Sequence, residues 1–138
     1  MRERVIVDTG ILVAAFDRSD AWTGWVADTL KHVRPPMTTC EAVLAETWFL
    51  IQHRPDGWSK VINWLELGFL KVDFSLAESQ SRVIDLMGKY RDLPMSLADA
   101  CLVVMVEKGM GDRVFTLDRH FRIYRRNHRR VVPVLMPG

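Results

Sequence analysis

Acidic residues at four separate points of this 138-residue chain have the chemistry and the predicted placement to share a metal ion. Asp8 directly follows the β-branched run Val5–Val7, which is typical of a buried parallel strand. Asp118 directly follows a second predicted strand, over residues 113–116. Because parallel strands present their carboxyl ends at one edge of a sheet, we expect these two carboxylates to lie close together.

The other two acids lie in predicted helices. Asp99 is in the first turn of a helix over residues 97–108, where Ser96 is the N-cap and the helix dipole favours an ionised carboxylate. Glu46 lies in an otherwise apolar stripe of a helix over residues 40–52, and is expected to point inward. Mg²⁺ and Mn²⁺ prefer carboxylate oxygens, so one hard divalent ion would explain all four acids. Taken singly, Asp8 and Asp99 could be helix caps, Glu46 could pair with an arginine, and Asp118 could begin a turn.

The elements that position these acids alternate between strands and helices. Helices are predicted over residues 21–33, 40–52, 58–67, 75–90 and 97–108, with Asp20 as N-cap of the first and Thr38 and Thr39 as caps of the second. Further strands are predicted over residues 69–74 and 131–135, the last at a sheet edge because Pro133 interrupts it. The pattern predicts one α/β domain over residues 1–138, with a parallel sheet covered by helices on both faces.

Composition places the chain among ordinary globular proteins and argues against a membrane or disulfide-stabilised protein. The sequence is 49% hydrophobic and 26% charged, and it has no apolar run near the roughly 20 residues of a membrane span. No leader of the secretory type is evident, and Cys40 and Cys101 are predicted to be reduced core residues. We therefore expect a cytoplasmic location.

Positive charge is concentrated at the C-terminal end of the chain. Residues 1–112 hold 12 Lys and Arg against 16 Asp and Glu, whereas residues 113–138 hold 7 Arg and one acid, Asp118. An arginine-rich end beside an acidic body suggests a polyanionic partner. If the segment is helical, its positions 122, 125, 126 and 129 would share a face. The same residues could equally form a solvated loop, or bind the acidic tail of a partner protein. The candidate contacts to a polyanion are Arg119, Arg122, Arg125 and Arg126.

Four short motifs together resemble the PIN domain, and the small VapC-like ribonuclease toxins in particular. They are Val-Asp-Thr at residues 7–9, Ala-Glu at 45–46, Ser-Leu-Ala-Asp-Ala at 96–100 and Phe-Thr-Leu-Asp-Arg-His-Phe at 115–121. The resemblance implies a three-layer α/β/α fold with a small central parallel sheet. It also implies an acidic pocket for one or two Mg²⁺ or Mn²⁺ ions, and cleavage of RNA. By that match the acidic cluster would be Asp8, Glu46, Asp99 and Asp118, with the hydroxyls of Thr9 and Thr116 supporting it.

The chain departs from the pattern of many such relatives at one position. They carry a second acid two residues after the one that matches Asp118, and this chain has His120 there. The four-acid core is intact, but a second metal site would be weaker.

The leading hypothesis is hydrolysis of RNA phosphodiesters by a metal-activated water, in a toxin that a co-expressed antitoxin neutralises. A homodimer or antitoxin surface is expected in the apolar helices of residues 21–67, where Trp58 is predicted to be the most exposed tryptophan. One alternative is a stand-alone PIN nuclease that processes RNA or cuts DNA. Another is a catalytically idle PIN-like domain that binds RNA or protein.

Overall fold

The computed structural model describes residues 2–138, and a sheet of five parallel strands lies at its centre. The order across the sheet places the first strand in the middle, with the edges formed by the third strand and the last. The five strands are β1 (Val5–Val7), β2 (Met37–Thr39), β3 (Leu70–Val72), β4 (Arg113–Phe115) and β7 (Val134–Leu135). Two further strands, β5 (Arg125–Arg126) and β6 (Arg130–Val131), form a separate antiparallel hairpin.

Six α-helices flank the sheet and give the three-layer α/β/α arrangement expected from the sequence. They are α1 (Thr9–Phe16), α2 (Thr23–Leu30), α3 (Glu41–Ile51), α4 (Gly57–Leu67), α5 (Leu76–Lys89) and α6 (Leu97–Glu107). Helix α1 packs against α2 and α3, and α5 packs against α6. Cys40 and Cys101 are buried free thiols, as predicted. Within residues 2–138, no helix has the length and apolar character needed to span a membrane.

Strand β1 is central because all three of its residues are apolar and completely buried. It pairs with β2 on one side and β4 on the other, with Ile6 opposite Thr38 and Val114. Gly111, just before β4, is in close contact with β1, since a Cβ atom at this glycine would lie 2.7 Å from Ile6 Cγ1. These pairings bring the carboxyl ends of β1 and β4 to the same edge of the sheet.

The prediction that Thr38 and Thr39 cap the following helix is wrong. Both belong to β2, where the Thr39 hydroxyl donates a 2.9 Å hydrogen bond to the carbonyl of Val7. Threonine is favourable in strands as well as at helix caps, and a three-residue strand is too short to show a pattern. The N-cap of α3 is Cys40, without a side-chain cap hydrogen bond.

Three other predicted boundaries also differ from the structure. The strand predicted over 69–74 covers only Leu70–Val72, as β3. Helix α2 covers only Thr23–Leu30 of the predicted 21–33, and its N-cap is Trp22; Asp20 instead accepts a hydrogen bond from the Trp22 amide in the preceding turn. The strand predicted over 131–135 is divided at Pro133. Val131 pairs within the hairpin, and only β7 joins the main sheet, at its edge as expected.

The prediction that Trp58 is the most exposed tryptophan is also wrong. Trp58 is half-buried against the core, whereas Trp22 and Trp48 are 46% and 45% exposed. Helix α3 buries the face formed by Val43, Thr47 and Ile51, which leaves Trp48, Phe49 and Leu50 outside. The exposed apolar residues of α3 and α4 are Trp48, Phe49, Leu50, Ile62 and Leu67.

Candidate active site

Asp8 stands between β1 and α1, at the point where the central strand ends. It is the N-cap of α1, and its Oδ1 accepts a 2.8 Å hydrogen bond from the Thr9 amide. Only 7% of the residue is exposed. The capping role considered from the sequence is therefore real, but it uses one carboxylate oxygen and leaves the other to face β4.

Thr116 joins the ends of the two neighbouring strands through its side chain. Its hydroxyl donates a 2.6 Å hydrogen bond to Asp8 Oδ2 and accepts a 2.9 Å hydrogen bond from the Asp118 amide. The residue is completely buried just beyond β4. This one hydroxyl fixes the Asp8 carboxylate and the backbone that carries Asp118 relative to each other.

Asp99 lies in the first turn of α6, where it forms a capping box with Ser96. The Ser96 hydroxyl accepts from the Asp99 amide, and Asp99 Oδ2 accepts from the Ser96 amide. Tyr124, which is completely buried, donates its hydroxyl to the same Oδ2 at 3.0 Å. Sequence reasoning missed this contact, because Tyr124 follows Asp99 by 25 residues and no local pattern links them.

Glu46 lies on α3 at the side of the site, and it does not point inward as predicted. The residue is exposed, because α3 buries the next residue, Thr47, and not Glu46. Its Oε2 nevertheless accepts a 3.0 Å hydrogen bond from the Thr9 hydroxyl. Thr9 directly follows Asp8 in the chain, so this hydrogen bond connects Glu46 to the end of the central strand.

Asp118 is held at the start of a 3₁₀ turn, Arg119–Arg122. Its Oδ1 accepts a hydrogen bond from the His120 amide and lies 2.8 Å from His120 Nδ1. The His120 ring also stacks on Tyr124, with 6.5 Å between the ring centroids. The residue that departs from the family pattern therefore occupies one oxygen of Asp118 and contacts the tyrosine that holds Asp99.

The four acids line a single open pocket of about 430 Å³. Burial raises the pKa of Asp8 to about 7, with a further contribution from the charges of Asp99 and Asp118, while hydrogen bonds from Thr116 and Thr9 oppose the rise. Burial also raises the pKa of Asp99. In the described part of the chain, no ion pair involves Asp8, Glu46 or Asp99. The pocket residues are Asp8, Thr9, Gly10, Glu46, Pro94, Ser96, Asp99, Leu117 and Asp118.

The donor set of this pocket suits a hard divalent cation. All four acids offer carboxylate oxygens, the ligands that Mg²⁺ and Mn²⁺ prefer, and the ion would replace the missing positive partners. Among residues 2–138, however, no three His, Cys, Asp or Glu side chains are already grouped closely enough to hold one ion. An ion here would draw carboxylates together or keep several of its own waters, as Mg²⁺ commonly does.

The arginine segment does not form the helical face considered from the sequence. After the 3₁₀ turn the chain enters the β5–β6 hairpin. Arg125 Nη1 donates to the carbonyls of residues 122, 123 and 124, so its guanidinium stabilises the local backbone. Arg122 Nε is directed to the Met136 sulfur. Arg119 is exposed, and Arg126 is half-buried.

A parallel three-layer fold with acids at the carboxyl ends of its central strands defines an α/β protein with an acidic site at the edge of its sheet. Sequence comparison identifies the family within this class of α/β proteins. The PIN domain profile matches residues 5–127, and the chain belongs to the PIN domain family.

Two relatives illustrate the extent of this similarity. Ribonuclease VapC26 of Mycobacterium tuberculosis (strain ATCC 25618 / H37Rv) is 27% identical over 124 residues, which cover 88% of this chain and 92% of that protein. The crystal structure of M. tuberculosis VapC20, described as a sarcin-ricin loop cleaving toxin, superposes with a TM-score of 0.73. It is 22% identical and covers 83% of this chain and 90% of that one, so it supports the fold.

Proposed function

We propose that this protein is a metal-dependent endoribonuclease of the VapC type, the toxin of a toxin–antitoxin pair. The observation that carries the proposal is the pocket at the edge of the sheet, where Asp8 and Asp99 are buried beside other carboxylates without a lysine or arginine partner. Burying carboxylates together is unfavourable unless something cationic binds among them. The ribonuclease name of the VapC26 relative supports RNA as substrate.

In this proposal the acids divide into two groups according to their burial. The rigidly held Asp8 and Asp99 are the best candidates to hold Mg²⁺ or Mn²⁺, and Glu46 and Asp118 complete the site from its more open side. Bound there, the ion supplies Lewis-acid polarisation of the phosphoryl group and lowers the pKa of a water. Thr116 and Tyr124 orient the two buried carboxylates. Glu46 and Asp118, which face solvent, can accept the proton that the attacking water releases.

Partner binding is proposed from the surface of α3 and α4. Phe49 and Leu50 are 67% and 55% exposed, and Trp48 adds a large apolar side chain beside them. Contiguous exposed apolar residues of this kind commonly mark protein–protein interfaces. We infer that this surface binds a second copy of the chain or the antitoxin. Light scattering after gel filtration would test the first case, with loss of the dimer expected in Phe49→Glu.

The decisive experiment for the enzyme is cleavage of RNA by the purified protein with Mn²⁺ or Mg²⁺. Cleavage should stop when a chelator is added and return when the metal is restored. Asp8→Asn and Asp99→Asn should abolish cleavage while the far-ultraviolet circular dichroism stays that of the parent. Asp73→Asn is the matched control, because Asp73 is exposed and pairs only with Lys71. Full activity in either pocket variant, or cleavage in excess chelator, would overturn the proposal.

A further inference from the structure

The hairpin that follows the 3₁₀ turn places two arginines side by side. Its strands β5 and β6 pair Arg126 directly with Arg130, and residues 127–129 connect them. Asn127 and His128 have positive φ values of 48° and 71°, a conformation that Asn and His tolerate better than most residues. The tight connection keeps the two strands, and therefore the two guanidinium-bearing residues, in register.

The arrangement is electrostatically unfavourable as it stands. Like charges directly opposite each other on neighbouring strands destabilise the pair. In the described part of the chain, neither Arg126 nor Arg130 forms an ion pair with a carboxylate. The hairpin therefore holds two positive charges together, and Glu107, a carboxylate that contacts the hairpin, bonds to Arg82 and the Asn127 amide and not to either arginine.

A second observation concerns a single atom of Arg126. Its Nε is buried and has no hydrogen-bond partner among residues 2–138. The neighbouring Arg125 makes the contrast clear, because its guanidinium donates to three backbone carbonyls. The terminal Nη atoms of Arg126 are not buried in this way and form no hydrogen bond within the described residues, so this guanidinium is available to an anion.

The hairpin is held firmly against the two C-terminal helices. Glu107 accepts a hydrogen bond from the Asn127 amide and is itself paired with Arg82 at 2.8 Å. The Tyr90 hydroxyl accepts from the Arg125 amide at 2.9 Å, and Lys89 Nζ donates to the His128 carbonyl at 3.1 Å. These contacts hold the hairpin against the C-terminal ends of α5 and α6, so the cationic pair is preorganised.

The hairpin is also connected to the acidic pocket. Tyr124 immediately precedes β5, and its hydroxyl donates to Asp99. Arg126 is only two residues further along, and a strand advances about 3.3 Å per residue. The Asn127 amide, however, binds Glu107 at the opposite end of α6 from Asp99, so the paired arginines lie along the helix from the pocket. An RNA strand bound at the pocket would reach them further along its backbone.

We propose that Arg126 and Arg130 together bind one phosphate of the RNA backbone, outside the acidic pocket. The planar guanidinium fork matches phosphate oxygens and is suited to such a contact. The bound phosphate accepts from the terminal Nη groups of the two arginines and relieves the repulsion between the two strands. This inference rests on the proposed RNA substrate and identifies where its backbone is held.

The test is binding of a short, labelled single-stranded RNA, measured by fluorescence anisotropy in chelator so that no cleavage occurs. Arg126→Gln and Arg130→Gln should each weaken binding about tenfold, and the double variant should be little worse because both residues share one phosphate. Each should reduce the slope of log affinity against log salt by about 0.7. Arg130→Lys should keep the slope near that of the parent.

Arg34→Gln is the matched control, because Arg34 is exposed and lies before β2, far along the chain from the hairpin. Thermal unfolding of every variant confirms that the fold is kept. Parental affinity and slope in both Arg126→Gln and Arg130→Gln would overturn the site. The site would also be overturned if these two variants lost binding to a polyglutamate peptide but bound RNA as the parent does. In that case the arginine pair would bind an acidic protein.

The outcomes also separate this site from the proposed function. In cleavage assays, Arg126→Gln should raise KM more than it lowers kcat, whereas Asp8→Asn should lower kcat. RNA binding that depends on Arg126 in a protein that never cleaves RNA would support the site and refute the nuclease. Metal-dependent cleavage of RNA that does not depend on Arg126 or Arg130 would support the nuclease and refute the phosphate site.

Discussion

The hydroxyl of Thr116 lies 2.6 Å from Asp8 Oδ2 and donates a hydrogen bond to it across the two central strands. This contact opposes the rise that burial causes in the pKa of Asp8, because it stabilises the ionised carboxylate. Thr116 therefore favours the charged form of Asp8 near neutral pH, the form that can bind a cation.

Replacing the hydroxyl should shift the pH dependence of RNA cleavage. In Thr116→Val the pKa of Asp8 rises further, so the rising limb of kcat/KM against pH should move upward by about one pH unit or more. Thr116→Ser keeps the donor and should leave the limb in place. The measurement is cleavage rate against pH at fixed Mn²⁺, and an unchanged limb in Thr116→Val would contradict the assignment.

Stability without metal should decrease with rising pH because of Asp8. Its pKa is about 7 in the folded protein against an ordinary value of 3.8, so the folded state binds an extra proton between these two pH values. Stability is then lost as pH rises from about 4 to about 7, by up to about 4 kcal/mol for this group. In chelator at about pH 8, Asp8→Asn should therefore have a higher Tm than the parent, by several degrees.

The same comparison at about pH 4 provides the control. There Asp8 is protonated in the folded protein, and the Tm of the parent and of Asp8→Asn should nearly coincide. Addition of Mn²⁺ should raise the Tm of the parent more at high pH than at low pH, because the ion competes with the proton. A Tm difference between Asp8→Asn and the parent in chelator that did not grow from about pH 4 to about pH 8 would contradict this account.

Tyr124 should act on the metal through Asp99. Tyr124→Phe removes the hydroxyl that donates to Asp99 Oδ2 and keeps the ring that packs against Tyr90 and Phe121. Loss of such a supporting hydrogen bond typically costs about tenfold or more in metal affinity. We expect weaker Mn²⁺ binding by calorimetry and recovery of much of the cleavage rate at high Mn²⁺. Equal Mn²⁺ affinity in Tyr124→Phe and the parent would count against this role.

Gly111 should tolerate no side chain. In Gly111→Ala the new Cβ would be 2.7 Å from Ile6 Cγ1, and Ile6 is completely buried in the central strand. Overpacking of this kind costs about 1–3 kcal/mol, which urea unfolding would measure. Gly88→Ala in α5 is the control, since nothing lies within 4 Å of its added Cβ. That variant should gain up to about 1 kcal/mol.

Local sequence patterns were sufficient to predict the ends of the central strands and the start of α6. Val5–Val7 and Asp8 form a strand and its terminal acid within four residues, and Ser96 and Asp99 form a capping box. Each of these features depends on neighbours in the sequence. For that reason Asp8 and Asp118 could be placed at one edge of the sheet from the sequence, whereas Asp99 was added through the metal hypothesis and the resemblance to the PIN domain.

Features that depend on packing between distant segments were missed. The burial of α3 is offset by one position from the predicted stripe, which puts Glu46 at the open side of the pocket. Tyr124 contacts Asp99 across 25 residues, and the pairing of Arg126 with Arg130 requires a hairpin where a helix or a loop was considered. Strand β2 was hidden because its threonines are equally suited to a helix cap.

Helix α6 has every residue from Ala98 to Val106 buried, and this determines how the protein would lose activity on heating. A helix enclosed on all sides cannot fray or detach alone, so its amides should exchange with deuterium only when the entire molecule opens. Asp99 is in the first turn of that helix. Inactivation by heat or urea should therefore coincide with global unfolding, without a folded but inactive intermediate. Cooling or dilution should restore structure and activity together.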